Sequence, residues 1–203
     1  MKKRKRNKKL IVGLTGSFGT GKSTVAGMLR SSSTMVIDAD RISHDLIKPG
    51  GQIYRDIIRL FGKGICLKKG IISRRKLGEI VFKNKNALAE FNEIVHPAII
   101  NKIQLRIKKA KERVVILDAP LLFETGLDRI SDKIVVVKSS LDKQIRRVEK
   151  KSGLSKPEII LRIKSQIPLK EKLRLADFVI DNNGTVANTR KQAVLIRRLW
   201  WRS

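Results

Sequence analysis

The chain has 203 residues, 41% of them hydrophobic, enough for one good core with a small inserted subdomain and too much for a disordered polymer. Its 46 lysines and arginines against 18 aspartates and glutamates give a formal net charge of +28, which attracts polyanions through a long-range field. No apolar stretch reaches the roughly 18 residues of a membrane span, and the single cysteine, Cys66, excludes an intrachain disulfide and a cysteine metal cluster.

The chain opens on a basic tail, Met1-Lys-Lys-Arg-Lys-Arg-Asn-Lys-Lys9. The apolar run behind it is cut short by a glycine-rich loop, which argues against a secretory leader and for a reducing, cytoplasmic setting. That run, Leu10–Leu14, reads as a buried strand. Gly16-Ser-Phe-Gly-Thr-Gly-Lys-Ser23 follows it, and Thr24-Val-Ala-Gly-Met-Leu29 then opens a helix. The spacing is that of the G-x-x-x-x-G-K-[ST] phosphate loop, in the strand–loop–helix setting the motif needs. Gly16, Gly19 and Gly21 let the backbone curl so that successive N–H groups converge on an anion at a helix N-terminus. Lys22 would bridge the β- and γ-phosphates of a nucleotide, and the Ser23 hydroxyl would hold Mg²⁺.

A second strand, Met35–Asp38, ends in Asp38-Ala-Asp40. Residues two apart on extended backbone share a face, so both carboxylates are expected over the C-terminal sheet edge where α/β proteins bind ligands. There one could accept a hydroxyl proton or organise a metal; the competing reading is a helix N-cap, which accounts for one aspartate but not two. Helical patterns follow at Gln52–Phe61, Arg74–Phe82, Leu88–Val95 and Ala98–Lys111, the last begun by Pro97 with Ile99, Ile103 and Ile107 on one face. Together they predict an inserted helical subdomain, because the gap from Asp40 to Arg113 is far longer than one crossover helix needs.

Val114–Asp118 and Ile134–Lys138 are the third and fourth strands and Phe178–Asp181 the fifth, mostly β-branched and continuous, as buried parallel strands are. Between the last two lies a basic helical excursion, Leu141 to Ala176, carrying Arg146, Arg147, Arg162 and Gln166. Its capping box, Ser155-x-x-Glu158, marks one helix start, and the segment is a candidate lid. The alternation of strand and helix argues for an α/β sheet.

With these parts in order the chain resembles the dephospho-CoA kinase family over about Lys9 to Thr185. The resemblance rests on Gly13-Leu-Thr-Gly-Ser-Phe-Gly-Thr-Gly-Lys-Ser-Thr24, Ile37-Asp-Ala-Asp-Arg41 with His44, and His96-Pro97. It rests further on Asp118-Ala-Pro-Leu-Leu-Phe-Glu124, Arg162 with Ser165-Gln-Ile-Pro-Leu169, and Ala176-Asp-Phe-Val-Ile-Asp-Asn-Asn-Gly184. It implies a single P-loop kinase domain: a five-stranded parallel P-loop NTPase sheet flanked by helices, with a helical CoA-binding insertion and a helical lid. The core would span residues 9–40, 113–140 and 177–203, the insertion about 41–112 and the lid about 141–176.

The implied reaction moves the γ-phosphoryl of ATP, with Mg²⁺, to the ribose 3′-hydroxyl of dephospho-CoA. Asp40 matches the family's catalytic aspartate, with Asp38 behind it. Gly16, Gly19, Thr20, Gly21, Lys22, Ser23 and Thr24 would hold phosphate, Arg147 and Arg162 would close over ATP, and Asn183 lies where the adenine is expected. His44 and His96 fall on the acceptor side, and Glu124 where the acceptor or the lid would be met. Departures are modest: Ser17-Phe18 and Thr20 stand where Gly-Ile and Ser are common, and Lys151 replaces a lid arginine, keeping charge but losing the bidentate fork.

Two rivals remain open at this point, another P-loop kinase acting on nucleoside monophosphates or shikimate, and a nucleic-acid-binding P-loop protein. The positive charges are spread through Lys8, Lys48, Lys85, Lys109, Lys151 and Lys191 rather than gathered, and aromatics are only 4%. No stacking platform is legible, so nonspecific, salt-sensitive polyanion binding is expected as a side effect.

Overall fold

A computed structural model describes residues 9–200; residues 1–8 of the basic tail and residues 201–203 lie outside the described residues. The chain divides into two compact units, one built from the residues up to Ile37 and from Lys109 onward, the other from Asp38–Lys108.

The first unit is organised by five strands: β1 Leu10–Gly16, β2 Thr34–Asp38, β3 Val114–Asp118, β4 Lys133–Lys138 and β5 Phe178–Asp181. They form one sheet in the order β2-β3-β1-β4-β5, with β1 parallel to both neighbours and β4 parallel to β5. The register sets Leu14 of β1 beside Asp118 of β3, and Gly16 beside Val137 of β4. Every residue of β3 is buried, as expected of a strand covered on both faces.

One face carries Val12, Leu14, Val114, Ile116, Val135, Val137 and Ile180, packed against α1 (Lys22–Leu29) and α9 (Val186–Trp200) through Val25, Leu29, Ala193, Ile196 and Trp200. On the other, Gly13 leaves the room that a turn after β3 requires. A Cβ there would lie 2.7 Å from Leu122 Cδ2 and 2.8 Å from Ser131 Oγ. Between β4 and β5 run α6 (Leu141–Ser152), α7 (Lys156–Lys164) and α8 (Leu169–Arg174). The expected capping box opens α7, with Ser155 and Glu158 bonded reciprocally.

The second unit is helical: α2 Ala39–Leu46, α3 Gln52–Phe61, α4 Arg74–Val81 and α5 Lys85–Lys109, with a short antiparallel bridge between Cys66 and Ile72. Phe61 of α3 packs on Phe91 of α5 with ring centroids 6.5 Å apart, and Tyr54 donates to the Gly70 carbonyl at 2.6 Å. Two helices were expected on either side of Pro97, and there is one. Proline removes one N–H from the ladder at a cost of about 3 kcal/mol. Val95, Ile99 and Ile103, four residues apart and all buried, form one seam running past the proline. Three such side chains contribute about 1.5–3 kcal/mol each, so continuity outweighs the lost bond. Among the described residues no helix is long and apolar enough to cross a membrane.

Candidate active site

The phosphate loop leaves β1 at Gly16 and turns into α1 at Lys22. Gly19 and Gly21 take φ of 82° and 88°, the left-handed region that an L side chain enters at about 1–2 kcal/mol. Gly21 is constrained twice over, since a Cβ there would sit 2.2 Å from Asn182 Nδ2. The first turn of α1 leaves the amides of Lys22 and Ser23 without intrahelical partners, so the loop ends on an anion-seeking helix head.

Side chains from remote elements brace this loop from behind. Asn182, just past β5 and buried, donates Nδ2 to the Thr20 carbonyl at 2.8 Å and accepts from Thr189 of α9 at 2.9 Å. Arg147 of α6 donates to the same Thr20 carbonyl at 3.2 Å, to Ser139 Oγ at 3.2 Å and to the Asn182 carbonyl at 2.8 Å. Thr20 itself bonds back to Ser17 through its N–H and its hydroxyl. Arg147, expected to reach over a nucleotide, is thus also a strut between the loop and the end of β5.

Lys22 is ion-paired with Asp118, the last residue of β3, and both side chains are nearly buried. Sequence reasoning left Asp118 out of the site. Its signal was there, a carboxylate closing a buried apolar strand, but the pairing depends on β3 lying beside β1, which the sequence does not state. Asn183 accepts from the Ser140 N–H at 2.8 Å and donates to Asp181 at 2.7 Å. Burial alone would raise the Asp181 carboxyl, but hydrogen bonds from Asn183 and Lys138 win and hold it below the ordinary carboxylate range.

Helices α6 and α7 and the segment after them meet the loop through Phe18. Its ring joins an apolar cluster of Ile145, Val148 and Ile159 with Leu154, Ile160 and Ile163. Its N–H donates to Gln166 Oε1 at 3.0 Å, and the Arg162 guanidinium lies 5.7 Å from the ring centroid, within cation–π range. Arg162 therefore meets the phosphate loop through Phe18. Glu124, in the turn after β3, faces the same excursion. Its Oε1 accepts from Ile167 N–H at 2.8 Å and from Lys172 Nζ at 3.0 Å. Lys172, from α8, was not singled out from the sequence.

In the second unit Asp38 acts as the N-cap of α2, accepting from the Arg41 N–H at 2.9 Å. The strand stops there, so the expectation that Asp38 and Asp40 share a strand face does not hold; Asp40 lies exposed in the first turn of α2. His44, one turn further on, has its ring nitrogens 2.7 and 3.0 Å from Arg74 NH1. Burial, then Arg74, push the His44 imidazole below its ordinary range, against the pull of Asp40, Asp38 and Asp45. His96 is half-buried in the middle of α5.

Comparisons with known proteins identify the family. The family model described as Dephospho-CoA kinase matches residues 10–188. A dephospho-CoA kinase of Carboxydothermus hydrogenoformans is 42% identical over 193 residues, covering 94% of each chain. A solved dephospho-CoA kinase from Campylobacter jejuni superposes with a TM-score of 0.65 at 31% identity, over 94% of this chain and 96% of that one. Shikimate kinase from Acinetobacter baumannii, at 15% identity and a TM-score of 0.54 over 96% and 94% of the two chains, shares the fold alone. Matched in sequence over nearly its whole length, and with the phosphate loop formed and braced, the chain belongs to the dephospho-CoA kinase family.

Proposed function

We propose that this protein transfers the γ-phosphoryl group of ATP to the ribose 3′-hydroxyl of dephospho-CoA, giving coenzyme A and ADP, the last step of coenzyme A synthesis. The observation that carries the reading is the phosphate loop with Lys22 held against Asp118, in a chain matched to the family over residues 10–188. The reaction asks little covalent chemistry of the protein, so positioning and charge neutralisation do the work. Lys22 exchanges Asp118 for the β- and γ-phosphates, and the loop amides hold the phosphate oxygens. Arg147, already fixed beside the loop, and Arg162 add positive charge where the equatorial oxygens spread theirs. Asn183 borders the adenine.

The Ser23 hydroxyl and the Asp118 carboxylate are hard oxygen donors that would hold a Mg²⁺ arriving with ATP, which would supply charge neutralisation on the transferring group. Asp40 takes the proton of the attacking 3′-hydroxyl. Its support is the family motif Asp38-Ala-Asp40 and its place just past the C-terminal end of β2, the sheet edge where α/β proteins bind ligands. Asp38 orients the start of α2 beneath it through its cap. His44, His96 and Glu124 belong to the acceptor side, with about 41–112 as the CoA-binding insertion and about 141–176 as the lid. The lone, free Cys66 fits a cytoplasmic enzyme, and the +28 charge predicts salt-sensitive retention on heparin.

Incubation with Mg-ATP and dephospho-CoA, followed by mass spectrometry, tests the reading. Formation of coenzyme A is the expected result, and phosphorylation of shikimate or a nucleoside monophosphate in its place overturns it.

A further inference from the structure

Among the fully buried side chains of the described residues, that of Lys172 is the largest. It comes from α8, a helix of only six residues. An ammonium taken out of water costs several kcal/mol, and a methionine or leucine of similar volume would fill the space without that cost. Burial accordingly pushes Lys172 below the ordinary lysine range. Glu124 opposes this, and the positive charge of Lys22 reinforces it.

The bonds that hold the ammonium all end on one short turn. Nζ donates to the Pro120 carbonyl at 2.7 Å and to Glu124 Oε1 at 3.0 Å. The same Pro120 carbonyl accepts from the Thr15 hydroxyl at 3.1 Å, and Thr15 is the fully buried residue just before Gly16 of the phosphate loop. One residue earlier in the turn, the Ala119 N–H donates to the Leu14 carbonyl at 3.0 Å. Directly upstream is Asp118, which holds Lys22. Lys172 therefore sits behind two strand ends, that of β1, which launches the loop, and that of β3, which carries the loop lysine's partner.

We propose that Lys172 is a positioning residue for phosphoryl transfer, fixing through the Pro120 carbonyl the setting of Asp118 relative to the start of the phosphate loop. This rests on the kinase reading above. A lysine suits the task because its head reaches a carbonyl and a carboxylate at once, which no apolar side chain of the same volume does.

The test compares Glu124→Gln, which carries whatever Glu124 does on the acceptor side, with Lys172→Met/Glu124→Gln, in which the lysine is also gone and no carboxylate is left buried without its cation. With Mg-ATP and dephospho-CoA, kcat should fall about a hundredfold, the loss expected for a misplacement of about 1 Å. Affinity for ATP, measured by calorimetry without acceptor, should stay within about threefold. A kcat within about threefold of the Glu124→Gln parent overturns the proposal, and so does an ATP affinity that falls in step with kcat. Thr15→Val provides a second route that does not disturb the ion pair. It removes the other donor to the same carbonyl, with an expected loss of about tenfold in kcat at unchanged ATP affinity, and an unchanged kcat refutes the role given to Pro120. A wild-type protein that makes no coenzyme A would instead refute the kinase reading, which separates the two failures.

Discussion

Gly21→Ala should be among the most damaging single-methyl changes in the chain, and its cost has two separable parts. The first is conformational, because φ is 88° and an alanine held in the left-handed region costs about 1–2 kcal/mol. The second is steric. The new Cβ would lie 2.2 Å from Asn182 Nδ2, so Asn182 must move and give up its 2.8 Å bond to the Thr20 carbonyl. A buried polar group deprived of its partner costs about 1–3 kcal/mol. The sum, about 2–5 kcal/mol, lowers the melting temperature by about 4–20 °C at about 2–4 °C per kcal/mol for a chain of this size. Thermal unfolding followed by circular dichroism measures it. The steric part should vanish once Asn182 is gone. In an Asn182→Ala background, Gly21→Ala should cost only its conformational share, about 1–2 kcal/mol. A Gly21→Ala protein melting within about 2 °C of wild type, or a cost that is the same in both backgrounds, would refute the reasoning.

Asp40→Asn should lower kcat by about 10²–10⁴-fold, the range of general-base catalysis, with ATP affinity by calorimetry unchanged; a kcat near wild type removes Asp40 from the role of base. Lys22→Met should lower kcat by about 10²–10³-fold in the coupled assay and also destabilise the fold, since Asp118 loses its buried cation; a small effect on turnover counts against the loop chemistry. His44 sets a pH dependence of stability. Its folded-state pKa lies below the ordinary 6.5, through burial first and Arg74 second, so below 6.5 the unfolded chain binds a proton that the folded chain refuses. The contribution is fully present above 6.5 and is lost as pH falls from 6.5 toward the depressed folded value. His44→Gln should flatten the denaturation midpoint across that window, and an unchanged slope would contradict the assignment.

How much of this was legible depended on the range of the interaction concerned. All five strands lie within a residue or two of where their apolar runs placed them, and α3 spans Gln52–Phe61 as its periodicity predicted. Those signals are local, a run of β-branched residues or a turn-by-turn repeat. The helix through Pro97 was split in the reading because the proline penalty is local too, whereas the seam of Val95, Ile99 and Ile103 that overrides it is made by tertiary burial. Asp38 and Asp40 were misassigned to one strand face because nothing in Asp-Ala-Asp shows where extended backbone gives way to α2. In the site, the phosphate loop was readable from eight consecutive residues. Asp118 as the partner of Lys22, and Asn182 as a brace of the Thr20 carbonyl, were not legible because each meets a partner dozens of residues away, and only the strand order β2-β3-β1-β4-β5 brings them to the loop.

The bracing of the loop by Asn182 and Arg147 has a geometric cause. In a trans peptide the N–H and C=O point in opposite directions, so a loop that turns its amides inward toward an anion turns its carbonyls outward into the protein. Buried carbonyls must find donors. The loop meets some of this need itself, as the N–H groups of Thr24 and Val25 bond to the Gly21 carbonyl and Thr20 bonds to Ser17. The Thr20 carbonyl has no such local donor and takes Asn182 Nδ2 and Arg147 NH1. Behind the turn after β3, the Pro120 carbonyl takes Thr15 and Lys172 in the same way. A phosphate loop thus needs an outer ring of long or amide-bearing donors as much as it needs glycines. Those donors come from whichever elements the sheet order sets beside it, here the end of β5 and α6. The inner half of the site is written in the glycine spacing, and the outer half becomes readable once the carbonyls left over by that spacing are counted and a donor is sought for each.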